Sequence, residues 1–135
     1  MNETPILVTA AIMEEDGKFL ITQRLKDSHN GLRWEFPGGK LHFGEDPKKC
    51  LEREIKEELD IKIKVKNIFE CSSFVYDKKH IVLLAFLCDF VSGNIKKAGI
   101  NDFAWVTRKE MKNYNLTEAD LPFVKKLRKW KIKSR

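Results

Sequence analysis

Three glutamates in the middle of the chain have a spacing that suits metal chemistry. Glu57 and Glu58 follow Glu54 by three and four residues, and side chains at these separations are neighbours on one side of a helix. Carboxylates this close repel one another, which destabilises a helix by about 0.3 kcal/mol per pair. A bound cation removes that repulsion, and oxygen ligands suit Mg²⁺ or Mn²⁺ rather than zinc. The alternative is a solvated acidic face whose glutamates pair with nearby basic residues.

The residues before and within this helix favour the metal interpretation. Gly38 and Gly39 precede the helix, and the absence of a side chain there lets the backbone approach a metal ion or a phosphate closely. Glu45 and Arg53 add one acid and one base. We expect these two residues to pair and to brace the loop against the helix.

The spacing of these residues resembles the Nudix box, G-x5-E-x7-R-E-U-x-E-E-x-G-U, in which U is an aliphatic residue. The matching residues are Gly39, Glu45, Arg53, Glu54, Ile55, Glu57, Glu58 and Ile61. Asp60 stands where the box has its second glycine. That glycine ends the helix, often in a left-handed conformation, which Asp tolerates better than most residues. We therefore expect the departure to lower stability slightly and to leave the chemistry intact.

Segments outside the box resemble the MutT-like branch of the same family. Residues 34–40 are similar to the stretch that leads into the box in that branch, residues 17–24 to its early strand, and residues 119–122 to its late base-contact segment. The resemblance thus extends over nearly the whole chain. It implies one Nudix domain over residues 1–135, of the α+β class, with an α/β/α sandwich around a mixed sheet.

The activity that this resemblance implies is cleavage of a nucleoside diphosphate linked to another group, by attack of water at phosphorus. The cofactor implied is Mg²⁺, or Mn²⁺ in its place, held by Glu54, Glu57, Glu58 and the carbonyl of Gly39. Glu54 is the first choice for the base, and Glu57 is also a catalytic candidate. Arg53 is expected to orient Glu54 and to pair with Glu45, which has a structural role.

The substrate expected first is a (deoxy)nucleoside triphosphate, cleaved to the monophosphate and pyrophosphate. ADP-ribose, dinucleoside polyphosphates and capped RNA are alternatives within the family. A different class of function is a non-catalytic module that binds nucleotides or RNA as a sensor. The intact glutamates argue against the sensor.

Recognition of the base is assigned by position in the MutT-like branch. The substrate-binding candidates are Arg24, Phe36, Gly38, Lys40, Tyr76 and Asp120. Each has a simpler interpretation: Arg24 as a surface residue, Phe36 and Tyr76 as core residues, and Asp120 as the cap of the last helix. An ionised Asp120 only accepts hydrogen bonds, which favours donors such as the N4 amino group of cytosine or N1–H of guanine. Cytidine and oxidised-guanine nucleotides are both candidates.

A further acid of the MutT-like branch is missing from this chain. Members often carry a glutamate in the loop before the late strand, six residues ahead of its tryptophan. Counting back from Trp105 gives Gly99. Either the box carboxylates suffice, or another acid such as Glu70 or Asp77 contributes, or activity is reduced.

Composition narrows the choice of partners. The net charge of +6 favours anionic partners, including nucleotides. The three cysteines form no CxxC pair. We therefore expect them to be reduced core residues and the protein to be cytoplasmic. The longest apolar run, residues 81–88, is too short to span a bilayer. The basic residues that include Lys131 and Lys133 alternate with apolar ones, as in an amphipathic surface helix, so nucleic acid is not an expected partner. Both a monomer and a homodimer are compatible with the sequence.

Sequence patterns also place the elements that must position these residues. Asp16-Gly17 predicts a hairpin turn, and Asp46-Pro47 predicts a helix start before an apolar stripe. Residues 61–65 and 67–76 are predicted as separate strands, with a turn over residues 77–79. Thr107 and Glu110 fit a capping box, and the last helix is predicted to begin near residue 120.

Overall fold

The structure, a computed structural model, describes residues 4–130. Its strands are β1 (Ile6–Glu15), β2 (Lys18–Gln23), β3 (Trp34–Glu35), β4 (Gly38–Lys40), β5 (Lys62–Tyr76), β6 (Lys79–Ser92) and β7 (Asp102–Thr107). Its α-helices are α1 (Pro47–Leu59) and α2 (Leu121–Lys129), with 3₁₀ turns at Glu110–Asn113 and Glu118–Asp120. Lys131 and Lys133 of the predicted basic stretch lie outside the described residues. Within residues 4–130 no helix is long and apolar enough to cross a membrane.

The strands form a mixed sheet of seven strands with β1 at its centre. β1 runs parallel to β6, with Ile6 opposite Ile81 and Met13 opposite Cys88. It runs antiparallel to β2 and to the short β4. β6 continues the sheet to β5, and β2 continues it to β3 and β7. The predicted mixed sheet and α+β class are confirmed.

Helices cover both faces of this sheet, because alternate residues of a strand point to opposite sides. Ala10 and Ile12 of β1 belong to the buried cluster that includes Phe123 and Leu127 of α2. Ala11 and Met13 belong to the cluster that includes Leu51, Ile55 and Leu59 of α1. The apolar stripe of α1 is fully buried, and this burial fixes which side of the helix its glutamates occupy.

Both ends of α1 follow from single side chains. Asp46 caps the start by accepting hydrogen bonds from the backbone N–H groups of Lys48 and Lys49. Asp60 ends the helix in the left-handed conformation, with φ 56° and ψ 39°, as the departure from the box predicts. Its carboxylate also pairs with Lys56 at 2.7 Å and with Lys96 at 3.3 Å.

The structure differs from the predicted elements on the far side of the sheet. The two strands predicted over residues 61–76 are one strand, β5, whose register against β6 shifts around Ile68. Such a bulge keeps a strand continuous while changing which side chains face inward, and this breaks the simple alternation in the sequence. Tyr76 pairs with Lys79, so the turn contains two residues rather than three. Cys71 is exposed, which corrects its assignment to the core.

The capping box is confirmed, and a short helix follows it. The backbone N–H of Thr107 donates to Glu110 Oε1 at 2.9 Å, and the N–H of Glu110 donates to Thr107 Oγ1 at 3.2 Å. The helix is a 3₁₀ helix over Glu110–Asn113.

Candidate active site

The glutamates of α1 lie beside the short strand β4, which the pairing with β1 holds in place. Gly39 lies opposite Thr9 of β1, and the hydroxyl of Thr9 donates to the Gly39 carbonyl at 3.1 Å. Glu54 is buried and faces Gly39, whereas Glu58 is half-buried and Glu57 is exposed. The solvent exposure of the three side chains therefore increases from Glu54 through Glu58 to Glu57.

Arg53 connects three acidic side chains. Its Nε and one terminal nitrogen donate to the two oxygens of Glu45 at 2.7 and 3.0 Å. The other terminal nitrogen donates to Glu54 at 2.8 Å and to Glu57 at 3.2 Å. The hydrogen bonds from Arg53 hold the pKa of Glu45 down to about 2, and the same contact raises the pKa of Arg53. The guanidinium is thus fixed between the loop and the helix.

Gly39 leaves room for the Glu54 side chain. A Cβ atom at position 39 would lie 2.2 Å from Glu54 Cδ and 2.2 Å from Glu54 Oε2. Gly39 does not have a positive φ, so its backbone does not demand glycine. Space for the carboxylate is therefore the reason for glycine here.

The donor chemistry of this cluster fits a hard divalent cation. Burial raises the pKa of Glu58 to about 8, and the negative charges of Glu35 and Glu54 contribute to the rise. A cation beside these oxygens would reverse that shift. Among residues 4–130, however, no three acidic, histidine or cysteine side chains converge into a complete metal site. One terminal nitrogen of Arg53 instead pairs with an oxygen of Glu54 and an oxygen of Glu57.

Metal removal is expected to make stability fall as pH rises. The folded-state pKa of Glu58, about 8, lies above its ordinary value of 4.5, so folding favours the protonated form. The stabilising contribution is complete below about pH 4.5 and disappears as pH rises toward 8. In EDTA, the melting temperature should therefore fall between pH 5 and 8, and Mg²⁺ should restore more of it at pH 8 than at pH 6.

The matched comparison for this experiment is Glu58→Gln, which does not ionise. The pKa of Asp120 is also raised, to about 7, and contributes to the same trend in both proteins. The part of the pH dependence that belongs to Glu58 is the difference between wild type and variant. Identical pH profiles would contradict the assignment.

A cavity of about 500 Å³ runs from the glutamates of α1 to a polar pocket between β2, β3 and the end of β5. The predicted site residues that line it are Arg24, Phe36, Gly38, Gly39, Lys40, Glu54, Glu58, Tyr76 and Asp120. Glu45, Arg53 and Glu57 are not among its lining residues. The volume suits a nucleotide-sized ligand.

Arg24 is part of a half-buried ion pair rather than a simple surface residue. One terminal nitrogen donates to both oxygens of Glu35, at 3.0 and 3.1 Å, and its Nε donates to the carbonyl of His29 at 2.5 Å. Burial raises the pKa of Glu35 although Arg24 opposes the rise. Glu35 lines the cavity and was missed by sequence reasoning. The signal that points to it is cross-strand proximity in the β2–β3 pair, where Gln23 lies opposite Trp34.

Both aromatic candidates have structural contacts as well as a place on the cavity wall. Phe36 is 2% exposed and packs edge-on against Phe123, so the core interpretation holds for this residue. The hydroxyl of Tyr76 accepts a hydrogen bond from the backbone N–H of Ala119 at 2.8 Å. The ring of Tyr76 meets the His29 ring edge-on at 5.4 Å. His29 and Lys79 also line the cavity, and neither was selected from a sequence pattern.

Asp120 does not cap the last helix with its side chain. Its Oδ1 accepts from the backbone N–H of Phe36 at 3.1 Å, and the hydroxyl of Thr117 donates to Oδ2. Burial and the neighbouring charge of Glu35 raise the pKa of Asp120 to about 7. The assumption of an ionised carboxylate is therefore incomplete, because near neutral pH the protonated form is also populated and can donate.

The position of the missing glutamate lies directly beside α1. The backbone N–H of Gly99 donates to the carbonyl of Glu58 at 3.0 Å, and a Cβ atom at position 99 would lie 3.1 Å from Glu58 Cγ. The substitutes considered from sequence are placed elsewhere. Neither Glu70, 3.8 Å from Lys126, nor the exposed Asp77 lines the cavity.

Sequence comparison connects this geometry with known proteins. The family described as NUDIX domain matches residues 4–127. The CTP pyrophosphohydrolase of Escherichia coli (strain K12) is 33% identical over 119 residues, which are 88% of this chain and 88% of that protein. The 8-oxo-dGTP diphosphatase of Buchnera aphidicola subsp. Schizaphis graminum is 30% identical over 129 residues, 96% of each chain.

Solved structures show the same arrangement of elements. The solution structure of the E. coli ORF135 protein superposes with a TM-score of 0.82 and 31% identity, over 93% of this chain and 90% of that one. The crystal structure of the MutT protein from Methanosarcina mazei Go1 gives a TM-score of 0.85 and 25% identity, over 96% and 97% of the two chains.

Proposed function

The chain belongs to the Nudix family of hydrolases, and on this premise we propose that it cleaves a (deoxy)nucleoside triphosphate to the monophosphate and pyrophosphate. The observation that supports this most is the single cavity of about 500 Å³ that joins the α1 carboxylates to a polar pocket. Cytidine and oxidised-guanine nucleotides are the proposed substrates, since relatives named for CTP and for 8-oxo-dGTP cover most of the chain.

Nudix hydrolases generally use a divalent metal, and we assign Mg²⁺ or Mn²⁺ to the cluster on α1. The carboxylates of Glu54, Glu57 and Glu58 and the carbonyl of Gly39 would hold it. When bound, the metal neutralises phosphate charge and makes a water molecule more acidic. This assignment matches the raised pKa of Glu58, which is caused by burial and, to a lesser extent, by the negative charges of Glu35 and Glu54.

Glu54, Arg53 and Glu45 then have different roles in activating one water molecule. Glu54 takes a proton from the water as its oxygen bonds to phosphorus, and the bond from that phosphorus to the bridging oxygen breaks. The electron pair leaves with pyrophosphate. Arg53 keeps Glu54 in position through its 2.8 Å hydrogen bond, and Glu45 holds Arg53. Arg53 therefore acts through Glu54 rather than on the substrate.

The rest of the cavity binds the nucleotide. We place the base beside Asp120, Arg24 and the walls formed by Phe36 and Tyr76, all of which line the polar end. Gly38 and Lys40 line the cavity near α1. The positive charge of the exposed Lys40 suits the negative phosphate chain.

We also propose that residues 1–135 act as one domain in the cytosol, as a monomer or homodimer with no nucleic acid partner. The free cysteines among the described residues fit a reducing compartment. Light scattering of the purified protein, with and without Mg²⁺, measures the oligomeric state. A stable complex larger than a dimer would contradict the proposal.

The decisive test is identification of both products. The purified protein should be incubated with Mg²⁺ and canonical nucleotides, oxidised nucleotides, ADP-ribose, a dinucleoside polyphosphate or capped RNA. We expect a nucleoside monophosphate and pyrophosphate from a cytidine or oxidised-guanine triphosphate, and no product in EDTA. Release of orthophosphate alone, or measurable binding without any product, would contradict the proposal, and the latter would favour a nucleotide sensor.

Asp120→Asn is expected to change base preference and to remove its pH dependence. Above the pKa of about 7 for Asp120, the carboxylate only accepts, which favours the N4 amino group of cytosine. Below it, the protonated form also donates. In wild type, kcat/KM for CTP relative to UTP, which has a carbonyl oxygen in place of the N4 amino group, should rise from pH 6 to pH 8, whereas the ratio for the variant should stay level.

The size of this effect follows from one hydrogen-bonded base contact, so the ratio should differ roughly tenfold between wild type and variant at pH 8. Glu118→Gln is unsuitable as a control, because Glu118 contacts the same segment as Asp120. Glu52→Gln, which changes an acid outside the cavity lining, should leave the ratio unchanged. Equal pH profiles for wild type and Asp120→Asn would remove Asp120 from base recognition.

A further inference from the structure

The 114–120 segment contacts both β5 and β3. Its residues Thr117, Ala119 and Asp120 form part of the cavity wall. On one side it contacts β5, where the hydroxyl of Ser72 donates to the carbonyl of Ala119 at 2.6 Å and Tyr76 accepts from its N–H. On the other side it contacts β3. The position of this wall therefore depends on both neighbours.

The contact with β3 is a short stretch of parallel pairing. The backbone N–H of Trp34 donates to the carbonyl of Asn115 at 2.9 Å, and the N–H of Thr117 donates to the carbonyl of Trp34 at 2.9 Å. Trp34 and Leu116 form a parallel bridge. A single bridge is a weak unit of sheet structure, so side chains must contribute to holding the segment.

Arg33 supplies that side-chain contact. One terminal nitrogen donates to Glu118 Oε1 at 2.5 Å, and the other donates to the carbonyl of Leu116 at 2.5 Å. The side chain of Arg33 is only 21% exposed. A guanidinium that grips a carboxylate and a carbonyl two residues apart fixes both the position and the direction of the backbone between them.

We propose that Arg33 and Glu118 are positioning residues for base selection, because their ion pair sets where Asp120 stands in the cavity. The proposal rests on the proposed function in one respect, the contact of Asp120 with the base. Neither Arg33 nor Glu118 is among the residues that line the cavity, so both act through the segment. The α1 glutamates lie outside this set of contacts.

Loosening this ion pair is expected to affect one end of the segment only. Ser72 and Tyr76 continue to hold Ala119, so the segment stays attached to β5. Leu116 and Glu118 lose the side-chain contacts of Arg33, and this end of the segment is then held by the two backbone hydrogen bonds with Trp34 and by the ring contact between Trp34 and Tyr114. The Oδ1 atom of Asp120 still accepts from the N–H of Phe36 at 3.1 Å. We expect the backbone before Asp120 to become more mobile, so that the distance between its carboxylate and the base is no longer fixed.

The test measures base selection separately from turnover. Dissociation constants of CMP, GMP and 8-oxo-dGMP are measured in EDTA for wild type, Arg33→Met, Glu118→Gln and the double variant. Kinetics with the matching triphosphates and Mg²⁺ follow. Arg33→Met keeps an unbranched apolar side chain but removes the guanidinium group, and Arg33→Lys retains the charge. Lys66→Met is the matched control, since it removes a surface ion pair with Asp89 at 3.0 Å that does not line the cavity.

The expected result is a loss of discrimination rather than a uniform loss of binding. For Arg33→Met, the ratio of dissociation constants between the best and the worst base should shrink about tenfold, with kcat within about twofold of wild type. The double variant should be no worse than Arg33→Met, because the two residues act as one pair. Arg33→Lys should retain part of the wild-type ratio of dissociation constants. The control Lys66→Met should leave that ratio unchanged.

Three outcomes would overturn the proposal. In the first, the ratio is unchanged while the melting temperature falls, which assigns Arg33 to stability alone. In the second, all bases weaken equally. In the third, wild type binds all bases equally, so that there is no selection to position. Failure of the proposed function has a different signature, since it would show as absence of triphosphate cleavage by wild type while the monophosphate ratios still test the ion pair.

Discussion

Replacing Glu57 by Gln is expected to lower kcat roughly 10³-fold at saturating Mg²⁺, with little change in stability. The Glu57 side chain is 57% exposed and its ion pair with Arg53 spans one helical turn. Such a pair contributes about 0.4 kcal/mol, so the free energy of unfolding should fall by no more than about 0.5 kcal/mol. Removing one negative charge from the proposed metal cluster changes the chemistry far more than the fold.

The comparison for this variant is Glu52→Gln on the same helix. Neither residue lines the cavity, but Glu52 lies about 140° around the helix from Glu57, whereas Glu57 pairs with Arg53 beside Glu54. Both variants lose one charge and keep their size, so they differ only in position. Steady-state kinetics and denaturant unfolding should separate them. A folded Glu57→Gln protein with full Mg²⁺-dependent activity would refute the assignment of Glu57 to the metal cluster.

Replacing Gly39 by Ala should lower kcat roughly 10²-fold, with a moderate loss of stability. The added Cβ would lie 2.2 Å from the carboxyl carbon of Glu54, so the carboxylate must move. Arg53 holds that carboxylate at 2.8 Å, and moving it breaks the alignment of the base with the water. Crowding of this kind also destabilises the fold by about 1–3 kcal/mol.

Two other glycines separate loss of stability from loss of catalysis. At Gly17, φ is +81° and no heavy atom lies within 4 Å of an added Cβ, so Gly17→Ala adds backbone strain alone, about 1 kcal/mol. It should be less stable and fully active. At Gly38 the added Cβ would lie 1.9 Å from the Thr9 carbonyl oxygen, so Gly38→Ala should fail to fold. A fully active Gly39→Ala protein would show that Glu54 has freedom to move without losing its role.

The carboxylate cluster was predictable because its members lie within one helix. The helical repeat alone places Glu54, Glu57 and Glu58 on one side, and the loop acid Glu45 lies close enough in sequence to be paired with Arg53 by spacing. The ion pair between these two residues is present in the structure. Local periodicity therefore carries most of the information about this end of the cavity.

The proposed base pocket was predictable only in part, because its residues meet through tertiary structure. Arg24 and Asp120 were selected by resemblance, but their partners Glu35 and Thr117 were not. Whether a carboxylate caps a helix or accepts from Phe36 depends on how the segment crosses β3. No local pattern contains that crossing. The same limit explains β5, whose bulge at Ile68 is defined by pairing with β6.

Gly99 occupies the position at which members of the MutT-like branch often carry a further glutamate. A side chain at this position would contact Glu58, so the branch's glutamate would fall beside the carboxylates of α1. In this chain position 99 is a glycine and supplies no carboxylate. The box carboxylates therefore carry the proposed reaction without that contribution.

Because β1 pairs in parallel with β6, a newly made chain cannot form this pairing until the residues around Ile81 have been synthesised. The 114–120 segment is made later still. At a synthesis rate of about 5–20 residues per second, the α1 glutamates are made several seconds before Asp120. On the proposed function, a nascent chain therefore contains the metal-binding carboxylates before it contains the segment that selects the base.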